Sequence, residues 1–306
     1  MKSFEPGTGC GLATLLETGV NCSQREGPRS SGALCKTRRM SASRPAPLSS
    51  LPGAAARQVR GLLTDIDDTL TRDGRIEPEA LAALHDLRSA GLPVIAVTGR
   101  PMGWSRDFAE TWPLEAIVAE NGAVAMFTDN GKLVIEYAQD KSTRAANAVR
   151  LKAAAERVLR EVPGSTLARD SAGRITDIAI DHSEFAHLDP AQIAQVVEVM
   201  RDEGMNATVS SIHINGWYGQ HDKLSGARWI VGRRLGRVLD AETAHWVYVG
   251  DSTNDQQMFG HFPLSIGVAN LLHFADSLTV WPAYLTEGER GAGFAEVARC
   301  LIGARR

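Results

Sequence analysis

From Val59 onward the chain alternates short, unbroken apolar runs with stretches of helical spacing, and this alternation limits the fold more than any other feature. Leu62-Leu63, Val94-Ile95-Ala96-Val97, Ile117-Val118-Ala119 and Val247-Tyr248-Val249 are brief, aliphatic or β-branched, and bounded by polar or turn residues. A strand wetted on one face alternates polar with apolar residues. A run without that alternation suits a strand buried on both faces, as in a parallel sheet covered by helices. Helices are expected between the runs, from Pro78 to Ala90 with Pro in the first turn and Gly91 as the stop, and from about Trp104 to Thr111. The strand–helix–strand order predicts an open α/β sheet with right-handed crossovers.

The middle of the chain has another rhythm. An Ala-rich helix is expected from about Thr143 to Val162, followed by the alternating run Ile175-Thr176-Asp177-Ile178-Ala179-Ile180-Asp181. A helix from about Pro190 to Glu203 then precedes Ala207-Thr208-Val209 and Ile212-His213-Ile214-Asn215. Helix–strand–strand, repeated, with strands polar on one side, predicts a small sheet with helices on one face and the other face open. The buried-strand pattern resumes at His245. The expected division is a core of residues 59–129 plus 220–306, interrupted by an insert over 130–219.

Charge separates off the start of the chain. Residues 1–58 hold eight basic and three acidic side chains, +5, so the remainder carries −8 of the total −3. Rich in Gly, Ser, Pro and Arg and lacking an apolar period, this stretch reads as a disordered tail, with Met40 as an alternative start. Leu12-Ala13-Thr14-Leu15-Leu16 is too short for a secretory core, and no run approaches a membrane span. Three of the four cysteines (Cys10, Cys22, Cys35) lie in the tail and none forms a CxxC pair, so neither a disulfide framework nor a zinc site is indicated, and a cytoplasmic location is expected. The acidic total argues against a nucleic-acid partner but not against a small phosphorylated metabolite, which needs only local positive charge.

Three buried-strand candidates end in polar residues: Asp65-Ile66-Asp67-Asp68-Thr69, Thr98-Gly99-Arg100 and Gly250-Asp251-Ser252-Thr253-Asn254-Asp255. In an open α/β sheet the carboxyl ends of parallel strands share one edge, where ligands bind, so segments more than 180 residues apart converge there. Clustered carboxylates repel unless a cation joins them, and hard oxygen ligands suit Mg²⁺. Such a cluster beside Thr98 and Lys223 suits phosphoryl transfer, because the metal cancels repulsion between a carboxylate nucleophile and a phosphate dianion. Asp65 and Asp67 lie two positions apart, on one side if the strand stays extended, one to attack and one to handle a proton. By parity Asp177 and Asp181 lie opposite Ile178 and Ile180, and His213 and Asn215 opposite Ile212 and Ile214. These four are expected to face the site and to hydrogen-bond the substrate, unless they are only the wet side of the sheet.

Asp65-Ile66-Asp67-Asp68-Thr69-Leu70, Thr98-Gly99-Arg100, Lys223 and Gly250-Asp251-Ser252-Thr253-Asn254-Asp255, in this order, resemble the four motifs of the haloacid dehalogenase-like phosphatases over about residues 60–302. The resemblance implies a Rossmann-like parallel-sheet core with an inserted α+β cap of αββαββ form, the C2B type. Glu120-Asn121-Gly122-Ala123 and Gly291-Ala292-Gly293-Phe294 look like segments of the family's sugar-phosphate phosphatases. It further implies Asp65 as a nucleophile forming an aspartyl-phosphate and Asp67 as the acid and base. Thr98, Gly99 and Lys223 would hold phosphoryl oxygens. Asp65, the Asp67 carbonyl and Asp251 would hold Mg²⁺, with Asn254 and Asp255 behind them. Asp68 departs from the Gly of many members.

Other motifs fail on count. A Ca²⁺ loop from Asp65 would need Gly at Leu70 and Glu at Ile76, Gly7-Thr8-Gly9-Cys10-Gly11-Leu12 lacks the last Gly of a dinucleotide loop, and no GxxxxGK exists. His182 and His187 read as surface residues. The expected function is a Mg²⁺-dependent phosphatase for a small phosphorylated metabolite, a sugar phosphate. The rivals are a phosphomutase using the same aspartyl-phosphate and a non-catalytic phosphate-responsive regulator.

Overall fold

A computed structural model describes residues 44–306. In chain order it runs β1 (Ala46–Pro47), α1 (Gly53–Arg57), β2 (Gly61–Thr64), the β3–β4 hairpin (Thr71–Arg72 and Arg75–Ile76), α2 (Pro78–Ser89), β5 (Val94–Val97) and α3 (Met102–Thr111). There follow β6 (Ala116–Ala119), β7 (Val124–Asp129), β8 (Lys132–Tyr137), α4 (Lys141–Glu161), β9 (Thr166–Leu167) and β10 (Asp177–Asp181). Next come α5 (Pro190–Asp202), β11 (Asn206–Val209), β12 (His213–Trp217) and α6 (Lys223–Leu235). The chain finishes with β13 (Trp246–Gly250), α7 (Gln256–His261), β14 (Leu264–Gly267), β15 (Tyr284–Leu285) and α8 (Arg290–Gly303).

Nine strands form the main sheet in the order β1-β15-β14-β13-β2-β5-β6-β7-β8, parallel except where β7 pairs with β6 and β8. Alternate residues of one strand feed opposite cores. Leu62 and Val94 pack with Leu84 and Leu87 of α2 and Phe294 of α8, whereas Leu63 and Ile95 pack with Ile230 and Val231 of α6 and with Phe259 of α7. Each such buried aliphatic side chain contributes about 1.5–3 kcal/mol, which is why strands apolar on both faces are stable only here. This is an α/β fold of parallel-dominated sheet with helices on both faces.

A separate four-stranded sheet, β11-β12-β10-β9, is antiparallel throughout. Its Ile180 and Ile214 pack against Leu151 and Val158 of α4 and Val196 and Met200 of α5. Asp140 starts α4 by accepting from the Thr143 amide at 2.9 Å; Asp189 and Gln192 form a reciprocal cap on α5, with Pro190 at its first position.

Two boundaries differ from the sequence reading. Lys132–Tyr137 falls in the expected insert but closes the main sheet as its edge, paired with β7 from Asp129↔Lys132 to Val124↔Tyr137. Residues 44–58, expected in the tail, are ordered: Ala46–Pro47 pairs with Tyr284–Leu285, and Leu48, Leu51 and Ala56 are buried in the core. Averaging over a Gly- and Ser-rich stretch hid these few apolar residues. The rest of the tail reading, with Met40 and Cys10, Cys22 and Cys35, lies outside the described residues. No helix among the described residues is long and apolar enough to cross a membrane.

Candidate active site

Three strand ends and one helix start meet at the carboxyl edge of the sheet. Asp65 follows β2, with its amide on the Val249 carbonyl at 2.9 Å, and Asp251 follows the neighbouring β13. Thr98-Gly99-Arg100 follows β5 on the other side of β2. Lys223 is the first residue of α6, where Asp222 and Ser225 cap each other at 2.6 and 2.8 Å. The left-handed Glu120-Asn121-Gly122 turn seats this helix: at Gly122 (φ +105°) any Cβ would strike the Asp222 carbonyl.

Lys223 Nζ lies 3.1 Å from Asp65 Oδ1, 2.7 Å from Asp255 Oδ1 and 3.2 Å from Asn254 Oδ1. Asp65, Asp251 and Asp255 can bring one oxygen each within 4.8 Å of one another, all buried. The three are not equivalent. Asp255 Oδ2 accepts the Asp251 and Ser252 amides at 3.0 and 3.1 Å, and its Oδ1 accepts from Tyr248 at 2.5 Å as well as from Lys223. That carboxylate is saturated and orders the loop. Among the described residues Asp251 takes one side-chain hydrogen bond, from Thr69 at 3.2 Å to Oδ1, and its buried Oδ2 has no partner. An orphaned buried carboxylate oxygen is costly unless a cation meets it.

Charge points the same way. Burial, only partly countered by Lys223 and reinforced by Asp255 and Asp67, pushes the Asp65 carboxyl up to about 7. Burial and then the Asp255 and Asp65 charges drive Asp251 well above the carboxylate range. Burial opposes the charge on Lys223, but Asp255 and Asp65 outweigh it and hold the ammonium above its ordinary value. Three carboxylates against one ammonium leave negative charge unmatched, and hard oxygens of this kind fit a divalent cation such as Mg²⁺. Asp65 and Asp251 have the geometry to hold it.

Thr98, fully buried, accepts the Arg100 amide on its hydroxyl at 3.0 Å, which shapes the turn carrying Gly99. Arg100 is the residue whose weight sequence reasoning missed, although it stands inside a motif. Its Nε lies 2.9 and 3.0 Å from the two oxygens of Asp67, its Nη1 3.1 Å from Asp170 and its Nη2 3.1 Å from Glu184. Asp170 and Glu184 belong to the loops of the small sheet, so one guanidinium, 4% exposed, ties that sheet to the core beside Asp67. Burial works against its charge, but Asp67, Glu184 and Asp170 prevail and raise it.

Asp177 and Asn215 lie against the Gly99 turn. Arg174 reaches both Asp177 oxygens at 2.9 and 3.0 Å and the Gly99 carbonyl at 2.9 Å; Asn215 Nδ2 donates to Asp177 at 3.2 Å and to Gly99 at 3.3 Å. Burial pushes Asp177 up to about 7, with Arg174 partly offsetting it. His213 meets Glu184 at 2.9 Å, so it reaches the core through Glu184 and Arg100. Burial would raise the Glu184 carboxyl, yet His213 and Arg100 hold it down to about 2.

Asp181 does not reach the site as expected. Its oxygens accept the amides of Ser183, Glu184, Phe185 and Ala186 at 2.9–3.2 Å, because the strand ends there in a turn whose N–H groups need acceptors. It shapes the loop bearing Glu184. His182 is buried rather than at the surface, with Nε2 3.0 Å from the Ser210 carbonyl. Glu120, fully buried, also joins the two sheets: it accepts the Met102 amide at 3.0 Å, the Ile175 amide at 3.1 Å and the Thr176 amide and hydroxyl at 2.6 and 2.5 Å. Asp170, Arg174 and Glu184 had no signal in sequence, since loop charges lack periodicity.

Residues 62–160 match the haloacid dehalogenase-like hydrolase family. A phosphoglycolate phosphatase of Methanosarcina acetivorans is 27% identical over 243 residues, covering 79% of this chain and 96% of that protein. Among solved structures, the sucrose-phosphatase of Synechocystis, in complex with sucrose and phosphate, has 17% identity, a TM-score of 0.57 and coverage of 80% and 98% of the two chains. The C-terminal domain of C. albicans trehalose-6-phosphate phosphatase has 16% identity, a TM-score of 0.61 and coverage of 85% and 99%. These two likenesses establish the shared fold. With the order of the site segments along the chain, these matches make the protein similar to the haloacid dehalogenase-like hydrolases and support an enzyme of the phosphoric monoester hydrolase class.

Proposed function

We propose that the protein is a Mg²⁺-dependent phosphatase that removes phosphate from a small sugar phosphate through an aspartyl-phosphate on Asp65. The observation that carries this reading is the unmatched negative charge around Asp65 and Asp251, with the orphaned Asp251 Oδ2 beside a single buried lysine. A bound dication would lower the repulsion between the Asp65 carboxylate and the phosphate dianion. Asp65 attacks phosphorus as the ester P–O bond breaks, and Asp67 gives a proton to the leaving alkoxide. Asp67 then takes a proton from the water that attacks the aspartyl-phosphate, and phosphate departs with Asp65 restored. Lys223, the Thr98 hydroxyl and the Gly99 turn hold the phosphoryl oxygens. The small sheet, residues 130–219 in the proposed division with β8 kept in the core, acts as the cap, and the substrate meets Asp177, His213 and Asn215 on opening and closing.

The leaving group follows from charge. Arg100 and Arg174 are the guanidiniums beside Gly99, and both are already engaged by Asp67, Asp170, Glu184 and Asp177. A substrate carboxylate would find its cations taken and four carboxylates in the way, whereas neutral hydroxyls find acceptors and the amides of Asn121 and Asn215. Phosphate release over a panel of phosphomonoesters with Mg²⁺ tests this. Sugar phosphates should be hydrolysed well and phosphoglycolate poorly, with all turnover lost in Asp65→Asn. Turnover in Asp65→Asn refutes the nucleophile, and preference for phosphoglycolate refutes the substrate class. Labelled water appearing in released phosphate separates hydrolysis from transfer to a second sugar.

A further inference from the structure

Asp68 and Arg290 stand 222 residues apart, and both non-glycine side chains sit on left-handed backbone, at φ +52° and +49°. Such a conformation costs roughly 1 kcal/mol or more per residue, so it persists only where the surroundings enforce it. Here they enforce it together. Arg290 Nε donates to Asp68 Oδ1 at 2.7 Å, the Arg290 amide donates to Asn270 Oδ1 at 2.9 Å, and Asn270 Nδ2 donates to the Asp68 carbonyl at 2.9 Å. Three remote segments thus close a ring of hydrogen bonds around one turn. That turn separates Asp67, whose carboxylate meets Arg100, from Thr69, whose hydroxyl meets Asp251.

We propose that Arg290 is a positioning residue for the reaction centre, acting through Asp68 and Asn270 to hold the turn that aims Asp67 and Thr69 at the divalent-ion site. The inference rests on the Mg²⁺ reading above. A mere surface ion pair does not explain the geometry, since one bond of the ring goes to the backbone of the turn itself. The clasp also accounts for Asp where glycine would adopt the same φ without strain: the carboxylate supplies the handle that glycine lacks.

Mg²⁺ binding to the protein without substrate, followed by calorimetry, tests this in Arg290→Gln, Asp68→Gly and the double variant. Loss of an outer partner of a metal site should weaken Mg²⁺ about tenfold in each single variant. The double variant should be no worse, because both changes open the same ring. Melting in chelator should barely move, because the pair is about one-fifth exposed. A purely electrostatic role predicts opposite signs, tighter Mg²⁺ in Arg290→Gln and weaker in Asp68→Gly, and that result overturns the proposal. So does wild-type affinity in both single variants, or a lowered melting temperature with unchanged Mg²⁺ affinity. Absence of Mg²⁺ binding by the unaltered protein would instead remove the reading on which the proposal rests.

Discussion

Replacing Lys223 by Met keeps the length of the side chain and removes the ammonium that sits between Asp65 and Asp255. The lysine is 4% exposed and within 3.1 Å of both carboxylates. Deleting one partner of a buried ionic cluster leaves charge stranded in low dielectric and costs about 3–5 kcal/mol. A domain of this size loses about 2–4 °C per kcal/mol, so the chelated variant should melt about 6–20 °C lower. Arg228→Met is the control: its pair with Asp240 is 42% and 50% exposed, and its loss should cost below about 1 kcal/mol. The deficit has a predictable pH dependence. Asp65 already sits at about 7 with Lys223 present, so without it the protonated form is favoured further and the deficit should shrink as pH falls. Differential scanning calorimetry from pH 5 to 8 in chelator measures this. A melting shift no larger than that of Arg228→Met, or one independent of pH, would refute the reasoning.

Asp65 also predicts how the unaltered, metal-free protein behaves. Its folded value, about 7, lies above the unfolded 3.8, so its contribution is present below about pH 4 and lost as pH rises towards 7. At 1.36 kcal/mol per unit the loss is on the order of 4 kcal/mol, and Mg²⁺ should restore it with release of protons, as melting curves with and without Mg²⁺ can check. Glu120→Gln should cost about 1.5–3 kcal/mol, because an amide nitrogen would then face the Ile175 and Thr176 donors. Hydrogen exchange at Thr176 should accelerate; unchanged protection would contradict the role of Glu120 in seating the small sheet.

The main sheet could be read from sequence because burial on both faces leaves an unalternating apolar signature, seen in Val94–Val97 and Ala116–Ala119. The meeting of Asp65, Thr98 and Asp251 followed from parallel pairing, which puts the ends of β2, β5 and β13 on one edge whatever their distance along the chain. Lys223 had only its place in the order of the motifs to mark it, since an isolated lysine carries no pattern of its own. Arg100 was visible as a motif letter but not as a clamp, since its partners Asp170 and Glu184 lie 70 and 84 residues away in loops without a period. For Asp181, strand parity was too coarse a guide: the residue ends its strand, and the four amides of the next turn claim its oxygens.

In the proposed reaction the carboxylate of Asp65 becomes covalently phosphorylated beside a bound divalent ion. Rapid acid quench during turnover of a sugar phosphate labelled in its phosphoryl group, followed by peptide mapping, measures this directly. With Mg²⁺ present the label should reside on the peptide carrying Asp65, and it should vanish with chelator and in Asp65→Asn. Turnover without protein-bound label, at a rate that survives Asp65→Asn, would contradict it.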